Sequence, residues 1–175
     1  IIFNGNGYDD EWLAEAKRRG LLNLKSTPDC LPYFIADKNI RLFTKHKVFT
    51  EKEIRARYEI VLENYSKVIH IEALTMLEIA RKQILPAVMA YEKDIAQEMS
   101  TKKVLSAALD VSAEEGLLAT LSRLTGCLYA RIEALSNALL GVKNTADVES
   151  AAMYYKEHVL TAMQELRAAA DELET

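Results

Sequence analysis

The residue types that most often bind metals are few in this sequence and lie far apart. Its three histidines, His46, His70 and His158, fall in three separate segments, and none has a second histidine three or four positions away. A metal site on a helix needs ligands on one face, spaced as in an HExxH motif or as paired cysteines. The spacing favours a packing role for each histidine, including His70 on its apolar helix, and we predict no metal ligand.

Both cysteines are interpreted as small apolar side chains. Cys30 lies in a short apolar segment and Cys127 on a predicted helix. Nucleophilic catalysis would favour a histidine near one of them in sequence or a serine in a Gly-x-Ser-x-Gly turn, and neither pattern occurs. We expect both to be buried and reduced, which fits a cytoplasmic protein. We predict no catalytic residue.

The segment Asn4-Gly5-Asn6-Gly7-Tyr8 resembles a glycine-rich loop ahead of a helix. Backbone N–H groups of such a loop can bind an anion. It lacks the third glycine of a dinucleotide-binding motif and the Lys-Ser/Thr pair of a P-loop, and Asp9 and Asp10 would repel phosphate. We favour a structural turn over a ligand loop and predict no cofactor-binding residue.

Charged and aromatic side chains recur along the predicted helices. Carboxylates such as Glu114 and Glu115, and a predicted i,i+4 ion pair between Glu53 and Arg57, are typical of a solvated helix face. The tyrosines, of which Tyr58 and Tyr65 are seven residues apart on one face, suit a bundle core with hydroxyls at its rim. The alternative is a groove in which these tyrosines and His70 bind a regulatory small molecule.

The composition limits the classes of partner. Half of the 175 residues are hydrophobic, 27% are charged and the net charge is −4, which gives no electrostatic reason to expect nucleic acid or an anionic membrane. The most apolar long window, 69–91, contains charges such as Glu72, Glu78 and Arg81 that are too costly inside a bilayer. We therefore expect no nucleic acid and no membrane among the partners.

The sequence begins with the apolar triplet Ile1-Ile2-Phe3, which is typical of the end of a buried strand or segment. No signal-peptide pattern surrounds it. We expect position 1 to lie inside a longer protein.

Three short helical segments are predicted in the first 48 residues. The first spans 10–19, between an N-cap at Asp9 and a left-handed residue at Gly20. The second has Pro28 at its first helical position. The third, 37–44, has one or two turns.

A much longer helix is predicted next. Thr50-Glu51-Lys52-Glu53 is a capping box, and helix-forming residues continue from it to about Leu105. Pro86 is expected to kink this helix without ending it. Its length would be about 80 Å at about 1.5 Å per residue.

Two further helices complete an all-α fold. The first follows a second capping box at Ser112–Glu115 and ends at Gly141; the second spans about 145–173. A short link makes them antiparallel neighbours, and the long helix supplies the third member of an antiparallel bundle. The predicted apolar stripes are Leu117, Leu121, Leu124, Leu128, Ile132, Leu135 and Leu139, and Val148, Ala152, Tyr155, Val159, Ala162, Leu166, Ala169 and Leu173.

Several long runs of the first half resemble the C-terminal region of type III glutamine synthetases. They occur in the family's order and extend from Ile2 to about Pro86, and the remainder carries only a helical, alanine-rich pattern. The matching runs are Ile2-Phe3-Asn4-Gly5-Asn6-Gly7-Tyr8, Arg18-Arg19-Gly20-Leu21-Leu22-Asn23-Leu24, Arg57-Tyr58-Glu59-Ile60, Leu62-Glu63-Asn64-Tyr65 and Ile71-Glu72-Ala73-Leu74-Thr75-Met76.

The resemblance implies a parent enzyme that makes glutamine from glutamate and ammonia with ATP and a divalent metal, Mg or Mn. The family's ligand motifs lie mostly upstream in the catalytic barrel, and no catalytic, cofactor-binding or metal-binding residue is carried over to this chain. It further implies that 1–48 is the tail of that catalytic domain and 49–175 a C-terminal helical bundle. The expected partners are the upstream catalytic domain and further copies in a homo-oligomer. The alternative is a free-standing helical protein-interaction module.

Overall fold

The structure, a computed structural model, describes residues 4–174. These residues form helices joined by turns and include no β-strand, which confirms the all-α prediction. The chain divides into two compact units, Ile1–Leu62 and Glu63–Thr175. The triplet Ile1-Ile2-Phe3, predicted to end a buried strand, lies outside the described residues. The domain boundary predicted after Val48 stays a prediction.

Short helices make up most of the first unit. Gly20 has a φ of 72°, the left-handed conformation predicted for the residue that closes the first helix. Pro28 lies in the first turn of the second helix, also as predicted. The helices are α1 (Asp10–Arg18), α2 (Thr27–Phe34), α3 (Asp37–Lys45) and the first turns of α4 (Glu51–Ile79).

A row of aromatic side chains packs inside this unit. The ring centroids of Phe34 and Phe43 lie 5.7 Å apart, and those of Phe43 and Phe49 lie 5.8 Å apart. The guanidinium of Arg57 lies 4.5 Å from the centroid of Phe49 in a cation–π contact. The row therefore links α2, α3 and the start of α4.

Thr50 and Glu53 form the predicted capping box at the start of α4. Glu53 Oε2 accepts a hydrogen bond from Thr50 N at 2.7 Å, and Thr50 Oγ1 accepts one from Glu53 N at 3.3 Å. The Thr50 N–H and the Thr50 hydroxyl both donate to the Glu53 carboxylate and lower its pKa, and Arg57 adds a weaker effect at longer range. The ion pair predicted between Glu53 and Arg57 is wrong, because each side chain has a nearer partner, Thr50 for the carboxylate and Phe49 for the guanidinium.

The long helix continues past Pro86, as predicted. A π-helical turn, Ala80–Ile84, separates α4 from α5 (Leu85–Leu105), and the N–H of Leu85 donates to the carbonyl of Ala80. Pro86 has no N–H and would crowd the preceding turn of a regular α-helix, so the wider turn accommodates the ring. Within residues 4–174, no helix has the combination of length and hydropathy that a membrane-spanning segment requires.

The second unit is a bundle in which α6 packs against both α5 and α8. Its further elements are α6 (Ser112–Gly141), a 3₁₀ turn (Val142–Asn144), α7 (Val148–Tyr154), a π-helical turn (Tyr155–Val159) and α8 (Leu160–Glu174). The core combines the predicted stripes with the inner face of α4. Its members include Ile69, Ala73, Leu77, Ala80, Leu128, Ile132, Leu135, Tyr155, Val159 and Leu166.

The second predicted capping box is wrong. Asp110 accepts a hydrogen bond from Ser112 N at 2.9 Å, and this bond lowers the pKa of Asp110. The Glu115 side chain does not take part in a cap. Its carboxylate accepts a hydrogen bond from Lys103 Nζ at 2.8 Å across the α5–α6 turn. The Lys103 ammonium has therefore replaced the backbone N–H that the Glu115 carboxylate would have bound in a capping box.

Two details of the predicted stripes also differ. Leu117 is 43% exposed because the first turns of α6 extend beyond the bundle core. The last helical run begins at Val148, three residues later than predicted, because the Asp147 side chain caps it by accepting from Ser150 N at 2.7 Å.

Candidate functional site

His70 is tied to the last helical run by a hydrogen bond. Its Nδ1 lies 2.9 Å from the hydroxyl of Tyr155, and the two rings meet edge to face at 6.1 Å. Burial raises the pKa of the Tyr155 phenol, so the hydroxyl stays protonated at neutral pH. The hydrogen bond between this phenol and the imidazole joins α4 to the last helical run, which is the packing role predicted for His70.

The other two histidines lie elsewhere. The ring of His158 packs on that of Tyr154 at 4.5 Å between centroids, and His46 stands at the C-terminal end of α3. Within residues 4–174, no three histidine, cysteine or acidic side chains come together in a geometry that would hold a metal ion.

The cysteines differ from each other. Cys127 is half-buried and packs against the bundle core. Cys30 is exposed, so its predicted burial is wrong: α2 buries Pro28 and Leu31, and the Cys30 thiol turns back to the carbonyl of Thr27 at 3.3 Å.

The glycine-rich segment folds onto itself. Asn6 Nδ2 donates to Asp9 Oδ1 at 2.7 Å, and Asn6 Oδ1 accepts from Tyr8 N at 3.1 Å. The Tyr8 N–H, one of those an anion would use, already has a partner, and a carboxylate lies beside it. This geometry is that of a structural turn.

The small-molecule groove considered for Tyr58, Tyr65 and His70 stays a prediction. Tyr65 packs against the core of the second unit, and Tyr58 is half-buried in the first. The carboxylates Glu114 and Glu115 form ion pairs with Lys102 and Lys103. These pairs fix the α5–α6 turn, and the Lys102 pair lowers the pKa of Glu114.

A groove that sequence inspection missed runs between the end of α4 and α8. Its volume is about 730 Å³ and its surface is mainly apolar. The side chains that form its floor and walls include Ile71, Met76, Ile79, Ile84, Met163 and Leu166, and those at its rim are Glu72, Arg167, Asp171 and Glu174. The sequence feature that indicates this groove is the presence of apolar residues on both faces of α4. Ile71 and Ile79 lie on the face opposite the buried Ile69, Ala73 and Leu77.

The known proteins most informative for this chain are glutamine synthetases. The family described as the glutamine synthetase C-terminal domain matches residues 1–103. The chain belongs to this family. The match ends inside α5, so it includes the whole first unit and the first part of the bundle.

Curated glutamine synthetases extend the similarity to the rest of the bundle. One from Butyrivibrio fibrisolvens is 46% identical over 174 residues, and a type-3 enzyme from Dictyostelium discoideum is 34% identical over 178. A third, from Bacteroides fragilis, is 25% identical over 178 residues. Each alignment covers 99% of this chain and 24–25% of the relative, so the chain spans about a quarter of their length. The resemblance to type III glutamine synthetases is confirmed.

Proposed function

We propose that this chain is the structural and assembly domain of an enzyme that forms glutamine from glutamate and ammonia with ATP. The observation that carries the proposal is the similarity of 99% of the chain to one quarter of each glutamine synthetase. The reaction then belongs to the parent protein, and the chain by itself is inactive.

The side chains of the described residues support an inactive domain. A synthetase of this kind needs Mg²⁺ or Mn²⁺ held mainly by carboxylate oxygens, and within residues 4–174 no such cluster exists. The carboxylates with lowered pKa values are occupied by local partners: Glu15 by arginines, Glu53 by Thr50 and Glu114 by Lys102. We therefore place the ATP and metal sites in the parent's catalytic domain.

Exposed apolar side chains support an assembly role. In the first unit, Leu22 is 62% exposed and Leu42 is 52% exposed. In the second, Leu140 is 58% exposed. Apolar surface of this kind is usual where a domain packs on another part of its protein. The partners we propose are the catalytic domain and further copies in a homo-oligomer, in the cytoplasm.

A glutamine-formation assay tests this division of labour. The 175-residue chain, the parent protein and a parent variant lacking these residues are compared for ATP- and ammonia-dependent turnover, and their masses are measured by light scattering. We expect turnover only from the parent, and a smaller assembly with reduced activity from the truncated variant. Turnover by the chain alone, or unchanged assembly and activity after truncation, would overturn the proposal.

A free-standing helical interaction module is not favoured. The chain is similar over 99% of its length to one quarter of each of these much longer enzymes.

A further inference from the structure

The groove lies between the end of α4 and α8, whose buried side chains belong to the same core as those of α6. Ala73 and Leu77 of α4 and Ala80 of the π-helical turn are buried in this core. Beside them, Ile71 and Ile79 extend outward, 63% and 40% exposed. A three-helix bundle with this opening has space for a fourth helix.

The groove has the dimensions of a helix-binding site. Its wall on the long helix runs from Ile71 to Ile84, about 14 residues and about 20 Å of helix. The opposite wall runs from Met163 to Glu174. Two helical walls with an apolar floor are the usual arrangement for binding an amphipathic helix through residues at i, i+3, i+4 and i+7.

The rim of the groove is acidic. Glu72 lies on one wall, and Asp171 and Glu174 lie on the other. The one cation in the lining, Arg167, is within 3.5 Å of Asp171, which offsets its charge. An apolar floor between carboxylates is complementary to a helix with one apolar face flanked by lysines or arginines.

We propose that this groove binds an amphipathic helix of a separate protein partner, with basic residues along both edges of its apolar face. The leucine-type face packs on Ile79 and Met163, and the basic edges lie against Glu72 and Glu174. The proposal concerns a different surface and activity from the assembly role above and does not depend on it.

Two labelled peptides of about 14 residues test the charge preference. Both carry leucine at i, i+3, i+4 and i+7; one has lysine at the flanking positions and the other has glutamate there. We expect the lysine peptide to bind the full chain at least about tenfold more tightly, with a gain in helicity and weaker binding at high salt. Equal affinity for the two peptides, or no binding of either, would overturn the proposal.

Substitutions at exposed positions test the location. Ile79→Glu removes apolar wall and Glu72→Lys reverses the rim charge, and both side chains are exposed enough for the bundle to stay folded. We expect each to weaken the lysine peptide about tenfold. The matched controls are Leu117→Glu, a 43% exposed leucine outside the groove, and Glu157→Lys, an exposed carboxylate outside it. Controls that weaken binding as much as the groove variants would place the peptide elsewhere and overturn the proposal.

Other occupants give different results. If a second copy fills the groove, the chain self-associates, Ile71→Glu makes it monomeric, and the lysine peptide fails to compete. If the parent's own catalytic domain fills it, the peptide binds the 175-residue chain but not the parent protein. Either result would overturn the proposal, whereas binding to both proteins with the expected charge preference supports it.

Discussion

The two compact units are built from helices but stabilise them differently. In Ile1–Leu62, α1, α2 and α3 have eight or nine residues each and are joined by local hydrogen bonds and a row of aromatic rings. In Glu63–Thr175, long helices share one apolar core. Helices shorter than about 12 residues are marginal alone, so the first unit depends more on its surroundings. This dependence supports the proposal that the exposed leucines of that unit pack on another part of a longer protein.

Removing a core side chain of the bundle gives the largest expected effect. Leu128 is fully buried at the centre of α6, and Leu128→Ala should lower the free energy of unfolding of the second unit by about 3 kcal/mol. The measurement is urea unfolding followed by circular dichroism, with Leu117→Ala as the exposed control, expected to change stability by less than about 0.5 kcal/mol.

The same experiment tests whether the units unfold separately. Trp12, the only tryptophan of the chain, lies on α1 and reports on the first unit. Its fluorescence transition should stay in place in Leu128→Ala while the circular dichroism transition moves to lower urea. Equal shifts of both transitions would contradict two independent units.

The two capping motifs offer a second comparison. Thr50→Ala removes a formed box and should cost about 1 kcal/mol. Ser112→Ala removes a hydroxyl that makes no helix cap and only an exposed bond to Asp110, which still accepts from the Ser112 backbone N–H, so the cost should be less than about 0.5 kcal/mol. Denaturant unfolding of both variants is the measurement, and equal losses would contradict the difference in structure.

Much of the fold could be predicted because its signals are local or periodic. The four-three spacing of Ala152, Tyr155, Val159 and Leu166 places them on one face, and all are buried. Gly20 marks the end of α1 for a steric reason that acts within one turn. Such features need no knowledge of the rest of the molecule.

The remaining features depend on residues distant in sequence. The Glu115 carboxylate accepts from Lys103 instead of completing the capping box, and the groove is lined by residues of α4 and α8 that lie far apart in sequence. Cys30 shares a short apolar segment with Leu31, yet one is exposed and the other buried, because a single turn of α2 has two sides. A pattern along one segment cannot specify which competing partner lies nearby.

Within the bundle, the Tyr155–His70 hydrogen bond should contribute modestly. Tyr155→Phe keeps the buried ring and removes the hydroxyl, so we expect a loss of about 1 kcal/mol in unfolding by circular dichroism. Burial raises the folded-state pKa of Tyr155. The stability that the protonated phenol contributes is therefore full below about pH 10 and is lost as pH rises through the folded-state pKa. The wild-type chain should therefore lose stability in alkali more steeply than Tyr155→Phe, and parallel profiles would contradict this assignment.

The smallest expected effect lies in the first unit and appears in acid. Hydrogen bonds from Arg18 and Arg19 lower the pKa of Glu15 from 4.5 to about 2. Because the folded-state pKa is below the unfolded one, this contribution is full above about pH 4.5 and is lost as pH falls through about 2. Other carboxylates titrate in the same range, so the informative quantity is the difference between the wild-type chain and Glu15→Gln. The difference in unfolding free energy between the two proteins, followed by Trp12 fluorescence, should be constant above pH 5 and should shrink as the pH falls from 5 to 2. The reason is that only the wild-type side chain can lose its charge. A difference independent of pH would mean that the arginines stabilise α1 without the Glu15 charge.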